Sequence, residues 1–291
     1  MPTRLPARAV ALLMLFCVVW GVGQVAVKIG NAGFSPLFQA GLRSAGATLL
    51  VVAWARASGV RLIPQEPRLG YGALIAVLFA GEFVFLYWGL TFTTVARATL
   101  FVYMAPFVVT LGAHWWLPGE RLSAPKALGL VCAFTGLVIA FADGLRVPDR
   151  REVIGDAMEF LAAVLWGATT LVIKARGAGV SPVTTLFYQL IGSAIVLLAL
   201  AWVTGEAGAT RPTPLVVGAL LYQTIVVAFV SYLAWFRMLA RYPASQLSAF
   251  SFWTPIFAVI ASGVLLGEPI TAGIAVAVVL IAGGIYLVNR P

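Results

Sequence analysis

The chain has little of what soluble enzymes and nucleic-acid binders are made from. Only 10% of its 291 residues are charged, against roughly 25% in soluble domains. A fold this poor in charge has too little polar surface to cover itself in water. Its two cysteines, Cys17 and Cys132, both sit in apolar runs, which argues against a structural disulfide and a thiolate metal site. The single histidine, His114, leaves no histidine-rich zinc site and no Ser-His-Asp triad. There is no Gly-x4-Gly-Lys-Ser/Thr loop, so direct drive by ATP is not expected of this chain. No basic run exceeds Arg150-Arg151. The net charge of +9 therefore reads as loop bias in a membrane protein rather than as a nucleic-acid arm. No metal, no cofactor and no nucleic-acid partner is expected.

What the chain has in abundance is apolar sequence: 62% hydrophobic residues and a mean hydropathy of +1.00. A membrane helix takes about 20 such residues. Ten runs qualify: 8–29, 36–56, 70–91, 96–117, 124–142, 155–175, 182–203, 214–238, 244–266 and 271–288. Within the first, the stretch 9–27, preceded by Arg4 and Arg8, is too long for a signal peptide and has no small-x-small cleavage site after it. Connections are short and carry turn formers, among them Asn31 to Gly33, Pro64 to Pro67, Pro118-Gly119 and Pro212 to Pro214. The longest break runs from Asp143 to Glu152. Loop charges set the orientation. With the N-terminus inside, twelve basic residues lie on the cytoplasmic side: Arg4, Arg8, Arg56, Arg61, Arg68, Arg121, Lys126, Lys174, Arg176, Arg237, Arg241 and Arg290. Six lie outside: Lys28, Arg97, Arg146, Arg150, Arg151 and Arg211. This bias places both termini in the cytoplasm, of an inner membrane.

The sequence is also written twice. Trp20-Gly21, Lys28 and Ser35-Pro36 recur as Trp166-Gly167, Lys174 and Ser181-Pro182, all at an offset of 146 residues. Gly72-Ala73-Leu74 recurs as Gly218-Ala219-Leu220 at the same offset. Pro106 is echoed by Pro255, Gly119-Glu120 by Gly267-Glu268 and Gly136 by Gly284, at offsets of 148 or 149. Repeats at a fixed period mark repeated structure. Residues 1–148 and 149–291 are therefore expected to be two five-helix halves of one transport domain. Five is odd, so the second half enters the membrane from the opposite side. Inverted repeats of this kind are a recurrent plan of secondary transporters.

Taken together, Trp-Gly-x6-Lys in the first helix, Ser-Pro opening the second, an aromatic, proline-containing fourth and Gly-Glu before a glycine-rich fifth, all duplicated, resemble the drug/metabolite transporter superfamily. The similarity is to its ten-helix EamA-type branch and, within it, to aromatic amino acid exporters of the YddG type. It covers nearly the whole chain. It implies an all-α integral membrane protein, with ten helices as two inverted repeats around a central cavity, that exports small metabolites and is not an enzyme. Arg43, matched by Gln189 in the second copy, breaks the pattern.

Several residues are candidates for contact with such a substrate. Trp20 and Trp166 lie mid-helix, where a tryptophan cannot anchor at the interface, and suit a cavity wall; packing is the other reading. Tyr103 and Phe252 each precede a proline, Pro106 and Pro255, by three residues, and Trp253 lies beside the second. A proline breaks the helical ladder and frees a carbonyl, tolerated at depth where protein or cavity water satisfies it. Gln24, Thr99, Thr170, Tyr222 and Gln223 are candidate polar contacts, or interhelical hydrogen bonds. Glu82 sits near the centre of its helix, where a carboxylate costs roughly 2.5–3.5 kcal/mol. Three readings stay open for it: an ion pair with Arg43, a substrate-contacting or proton-carrying group, or a hydrogen-bonded neutral acid. Lys28 and Lys174 either snorkel to the headgroups or tie or gate each half. Glu120 and Glu268 are expected to cap helices five and ten, and Gly263-x3-Gly267 to mark tight packing.

The expected cargo is aromatic amino acids and related amphiphiles, in a monomer or homodimer within the lipid bilayer. The alternatives are export of cationic drugs or other metabolites and, from another class, a membrane-embedded lipid-modifying enzyme.

Overall fold

A computed structural model describes residues 5–63, 68–208 and 210–290. The expected Pro64 to Pro67 turn and Arg4 lie outside the described residues. Among these, the chain is helical, without a β-strand. Eight helices are long and apolar enough to cross a membrane: α1 (Ala7–Gly30), α2 (Pro36–Ala57), α3 (Leu69–Phe92), α4 (Val95–Trp116), α6 (Arg150–Arg176), α7 (Pro182–Val203), α8 (Pro214–Arg241) and α9 (Ala244–Leu266). Two shorter apolar helices, α5 (Ala124–Ala140) and α10 (Gly273–Val288), complete the set. Many of their large apolar side chains face outward, with Val264 77% exposed. Such a surface suits lipid and would be a liability in water.

The helix starts follow from local chemistry. Pro36, Pro182 and Pro214 each occupy the first helical turn, where a missing N–H costs nothing. Ser181 and Thr213 accept the N–H of Thr184 and Val216 at 3.0 and 3.3 Å, as N-caps do. Ser35, the other Ser-Pro serine, donates instead to the Glu206 carbonyl. α6 begins at Arg150, earlier than hydropathy suggests, because Asp149 and Glu152 form a capping box. The Glu152 N–H donates to Asp149 at 2.8 Å, and the Asp149 N–H to Glu152 at 3.1 Å, satisfying two otherwise unmatched donors.

Three helices are interrupted. α4 is broken at Tyr103-Met104, just before Pro106. α9 tightens into a 3₁₀ turn over Phe250–Phe252, just before Pro255. α8 is π-helical over Gln223–Ser231, with neither Pro nor Gly in that stretch to announce it.

Packing groups the chain into two units that cut across the sequence repeat. The first comprises Met1–Val22, Phe85–Leu171 and Arg241–Pro291. Within it α5 and α10 form the most extensive helix pair. A Cβ on Gly129 would lie 2.5 Å from the Gly284 carbonyl oxygen, and one on Gly136 3.0 Å from that of Ala277. Gly21 lies against the backbone of Phe257 and Ala258 on α9, and Gly167 against Val108 and Val109 on α4. Those two contacts interchange under the offsets of the repeat.

The second unit comprises Gly23–Val84 and Val172–Ala240. Its main seam joins α2 to α7. Leu37, Ala40, Ser44, Ala47, Val51 and Ala55 are buried along α2, and their offset partners Val183, Leu186, Leu190, Ser193, Leu197 and Ala201 along α7.

Two expectations need correction. Glu120 does not cap α5, which starts at Ala124. It caps α9 instead, accepting the N–H of Ala244 at 2.8 Å and, at 2.9 Å each, the N–H and hydroxyl of Ser245. Glu268 likewise lies before α10, which starts at Gly273, and accepts the Ser262 hydroxyl. In Gly263-x3-Gly267 the first glycine packs closely as expected, since a Cβ there would lie 2.8 Å from the Ile270 side chain, while the second ends the helix. Gly267 has φ +70 and caps α9, a left-handed position that favours glycine, and its Cβ would meet nothing within 4 Å.

Candidate functional site

In the first unit the break in α4 turns Tyr103 onto Trp166 of α6. The rings meet edge to face, with centroids 6.0 Å apart, a geometry that aromatic quadrupoles favour. Tyr103 is buried and Trp166 half-buried. Pro106 has no N–H, so the Val102 carbonyl loses its usual donor at this point. Trp20 is also half-buried and stacks on Phe16 at 5.8 Å. Thr170 is buried on α6, one turn beyond Trp166.

The second proline site differs. Phe252 is fully buried, its ring meeting Phe107 and Phe134 at 6.2 and 6.5 Å. It therefore packs in the core of this unit, between Phe107 and Phe134. Trp253 is half-buried and stacks on Phe257 at 5.8 Å. The Thr99 hydroxyl donates to the Val95 carbonyl at 2.8 Å, so its proton is already engaged within α4. Cys17 and Cys132 are free, as their apolar settings suggest. The His114 Nδ1 accepts the Leu122 N–H at 3.2 Å, a structural use.

Hydropathy reading missed an acidic face on α6. Glu152, Asp156 and Glu159 are all buried, at a spacing of four and then three residues that aligns them on one face. Glu152 pairs with Arg146 at 2.7 Å. Asp156 takes Arg97 through several hydrogen bonds and the Thr93 hydroxyl at 2.7 Å. Arg97 also donates to the Arg146 carbonyl at 3.1 Å. Glu159 sits over Gly89, and its Oε1 has no hydrogen-bond partner among the described residues. The i, i+4, i+7 spacing of acids was readable; their burial was not.

The second unit holds the other charges. Glu82 and Arg43 are both buried, but they form no ion pair among the described residues. Of the three readings of Glu82, the ion pair is not formed, because the Arg43 guanidinium lies over the Phe83 ring, 4.3 Å from its centroid. Phe83 meets Phe79 edge to face at 4.8 Å, and Phe79 meets Tyr232 at 6.2 Å. Gln223 donates to the Ala26 carbonyl at 3.1 Å, an interhelical bond. Tyr222 is half-buried just before the π-helical stretch. Gln24 and Lys28 are exposed on α1. The Lys174 ammonium donates to the Leu239 carbonyl at 2.7 Å. It therefore ties α6 to the C-terminal turn of α8, where a cation suits the helix dipole, and does not snorkel.

Apolar helices, a broken helix beside an aromatic pair, and buried charged side chains on those helices define a multi-pass membrane protein with polar groups held inside. The chain belongs to the EamA-like transporter family, matching it over residues 7–142 and again over 153–290. It is 30% identical over 291 residues to the uncharacterized transporter YvbV of Bacillus subtilis, covering 98% of this chain and 93% of that one. It is 28% identical over 289 residues to a probable amino-acid metabolite efflux pump of Escherichia coli, covering 95% and 93%. A crystal structure at 22% identity superposes with a TM-score of 0.82, covering 95% of this chain and 94% of that one, and so shares the fold. This is a membrane transporter of the drug/metabolite superfamily, and its relatives are named as transporters and efflux pumps rather than enzymes.

Proposed function

We propose that the chain exports aromatic amino acids and related amphiphiles from the cytoplasm by alternating access. Its ten helices act as two inverted halves, 1–148 and 149–291, in an inner membrane with both termini cytoplasmic, as a monomer or homodimer. The observation that carries this reading is the Tyr103–Trp166 pair beside the break in α4. Two aromatics, one from each half, meet at a point where the backbone is freed, as a flat apolar ligand would require. The interchanging contacts of Gly21 and Gly167 support the inverted relation. An efflux pump for amino-acid metabolites among the relatives supports the cargo class.

The test is counterflow in proteoliposomes loaded with a panel of aromatic amino acids and amphipathic cations, with and without a pH gradient. Counterflow of tryptophan or phenylalanine, reduced tenfold or more by Trp166→Ala, is the expected result. Counterflow of cationic dyes alone would reassign the protein to drug export. Conversion of a lipid to a new species would make it an enzyme.

A further inference from the structure

We propose that Arg43 and Glu82 together bind the zwitterionic head of an α-amino acid, Arg43 taking its carboxylate and Glu82 its ammonium group. This rests on the reading of the protein as an amino acid exporter and assigns recognition of the substrate's α-carboxylate and α-ammonium groups.

The observations all lie within the second unit. Arg43 is 4% exposed and Glu82 8%. Among the described residues the Arg43 Nε and Nη2 have no hydrogen-bond partner, and neither does the Glu82 Oε2. An arginine keeps its charge inside a protein, so a buried guanidinium with open donors calls for an anion. A carboxylate at membrane depth calls for a cation, a proton or water. Arg43 reaches the neighbourhood of Glu82, since it rests over Phe83, the next residue on α3, yet the two do not bridge among the described residues. A direct bridge would satisfy both at once. Here the Arg43 guanidinium rests over Phe83 instead, and its buried Nε and Nη2, the edge that engages carboxylates in forked geometry, stay without an acceptor among the described residues.

The ligand class follows from charge balance. A simple anion would leave Glu82 uncompensated, and a simple amine would leave Arg43 so. A molecule carrying both charges a few bonds apart compensates both, and the attraction of each half is large where water is scarce. Phe83, under the Arg43 guanidinium, leads through Phe79 to Tyr232 in a chain of edge-to-face rings, the kind of packing an aromatic side chain joins. The repeat supports a single head-group site, since the partner of Arg43 is Gln189 and that of Glu82 is Ala228 at the offset of 146.

The experiment compares three probes in proteoliposome counterflow: tryptophan, tryptamine, which lacks the carboxylate, and indole-3-propionate, which lacks the amine. In the wild type, tryptophan is expected to be favoured tenfold or more over both. In Arg43→Gln the loss for tryptophan is expected to exceed the loss for tryptamine tenfold or more. In Glu82→Gln the loss for tryptophan is expected to exceed that for indole-3-propionate by a similar factor. Equal losses for all three probes would make the pair structural and overturn the assignment, while tryptophan counterflow in the wild type would leave the exporter reading standing. A wild type that moves none of the three overturns both. Should Arg43→Gln fail to fold, thermal stabilisation of the wild type by each probe gives the same answer. Tryptophan must raise the melting temperature more than either of the others, and equal shifts sink the proposal.

Discussion

Replacing Glu120 by glutamine should loosen the start of α9. The carboxylate is 3% exposed and accepts three hydrogen bonds, from the Ala244 N–H, the Ser245 N–H and the Ser245 hydroxyl, at 2.8 to 2.9 Å. These backbone donors belong to the first turn, where no intrahelical acceptor exists. The amide can keep its carbonyl toward Ser245, but its NH₂ then faces the Ala244 N–H as a second donor. One charge-assisted bond is lost, worth about 1.5–3 kcal/mol, together with about 1 kcal/mol of charge–dipole attraction. The expected total is about 3 kcal/mol for Glu120→Gln, and roughly twice that for Glu120→Ala, which strands all three donors. At about 2–3 °C per kcal/mol for a chain of this size, the glutamine variant should melt roughly 6–9 °C lower. Fluorescence-detected size exclusion after heating in detergent measures this. Ser245→Ala, which removes one of the three bonds, should cost about a third as much, and the double variant should cost less than the sum because the sites share partners. A Glu120→Gln protein that melts within about 1 °C of the wild type would refute the capping account, since no buried acceptor could then be holding that turn.

Three further outcomes follow from the same structure. Gly129→Ala would bring a Cβ to 2.5 Å from the Gly284 carbonyl oxygen and 2.9 Å from the Val288 nitrogen. Backbone atoms cannot swing aside, so melting should fall by several degrees, whereas Gly283→Ala, with nothing within 4 Å, should leave it unchanged; equal behaviour of the two would contradict the α5–α10 seam. Asp156→Asn removes the counter-charge of the half-buried Arg97 and should cost about 1.5–3 kcal/mol, and hydrogen exchange should speed up at residues 93–97 and at the start of α6; unaltered protection there would count against the ion pair. Lys174→Met removes the donor to the Leu239 carbonyl and should cost about 1–2 kcal/mol, read as faster exchange confined to the end of α8, while a uniform change along the helix would point to some other cause.

Most of the architecture was legible because a bilayer imposes a one-dimensional rule. Backbone groups in hydrocarbon must bond within their own segment, so apolar length alone marks a helix. The hydropathy runs and the observed helices accordingly agree to within a few residues. The exception, α6, starts at Arg150 because the Asp149–Glu152 capping box outweighs local polarity. The breaks in α4 and α9 were also readable, since Pro106 and Pro255 remove a donor whatever surrounds them. The π-helical stretch of α8 carries no such mark.

Fates of individual side chains were decided by partners far away in the chain. Tyr103 and Phe252 hold equivalent places before equivalent prolines, yet one meets Trp166 and the other is sealed between Phe107 and Phe134. Lys174 could have snorkelled, but the open carbonyl of Leu239 lies within reach. Glu120 caps a helix more than a hundred residues later in the chain. The sequence by itself determined what each segment must be, through composition, period and proline. Which polar group meets which, and so whether Arg43 and Glu82 bridge or stand apart, was decided only by tertiary packing, because burial makes every polar group take whichever partner the neighbouring helices bring to it.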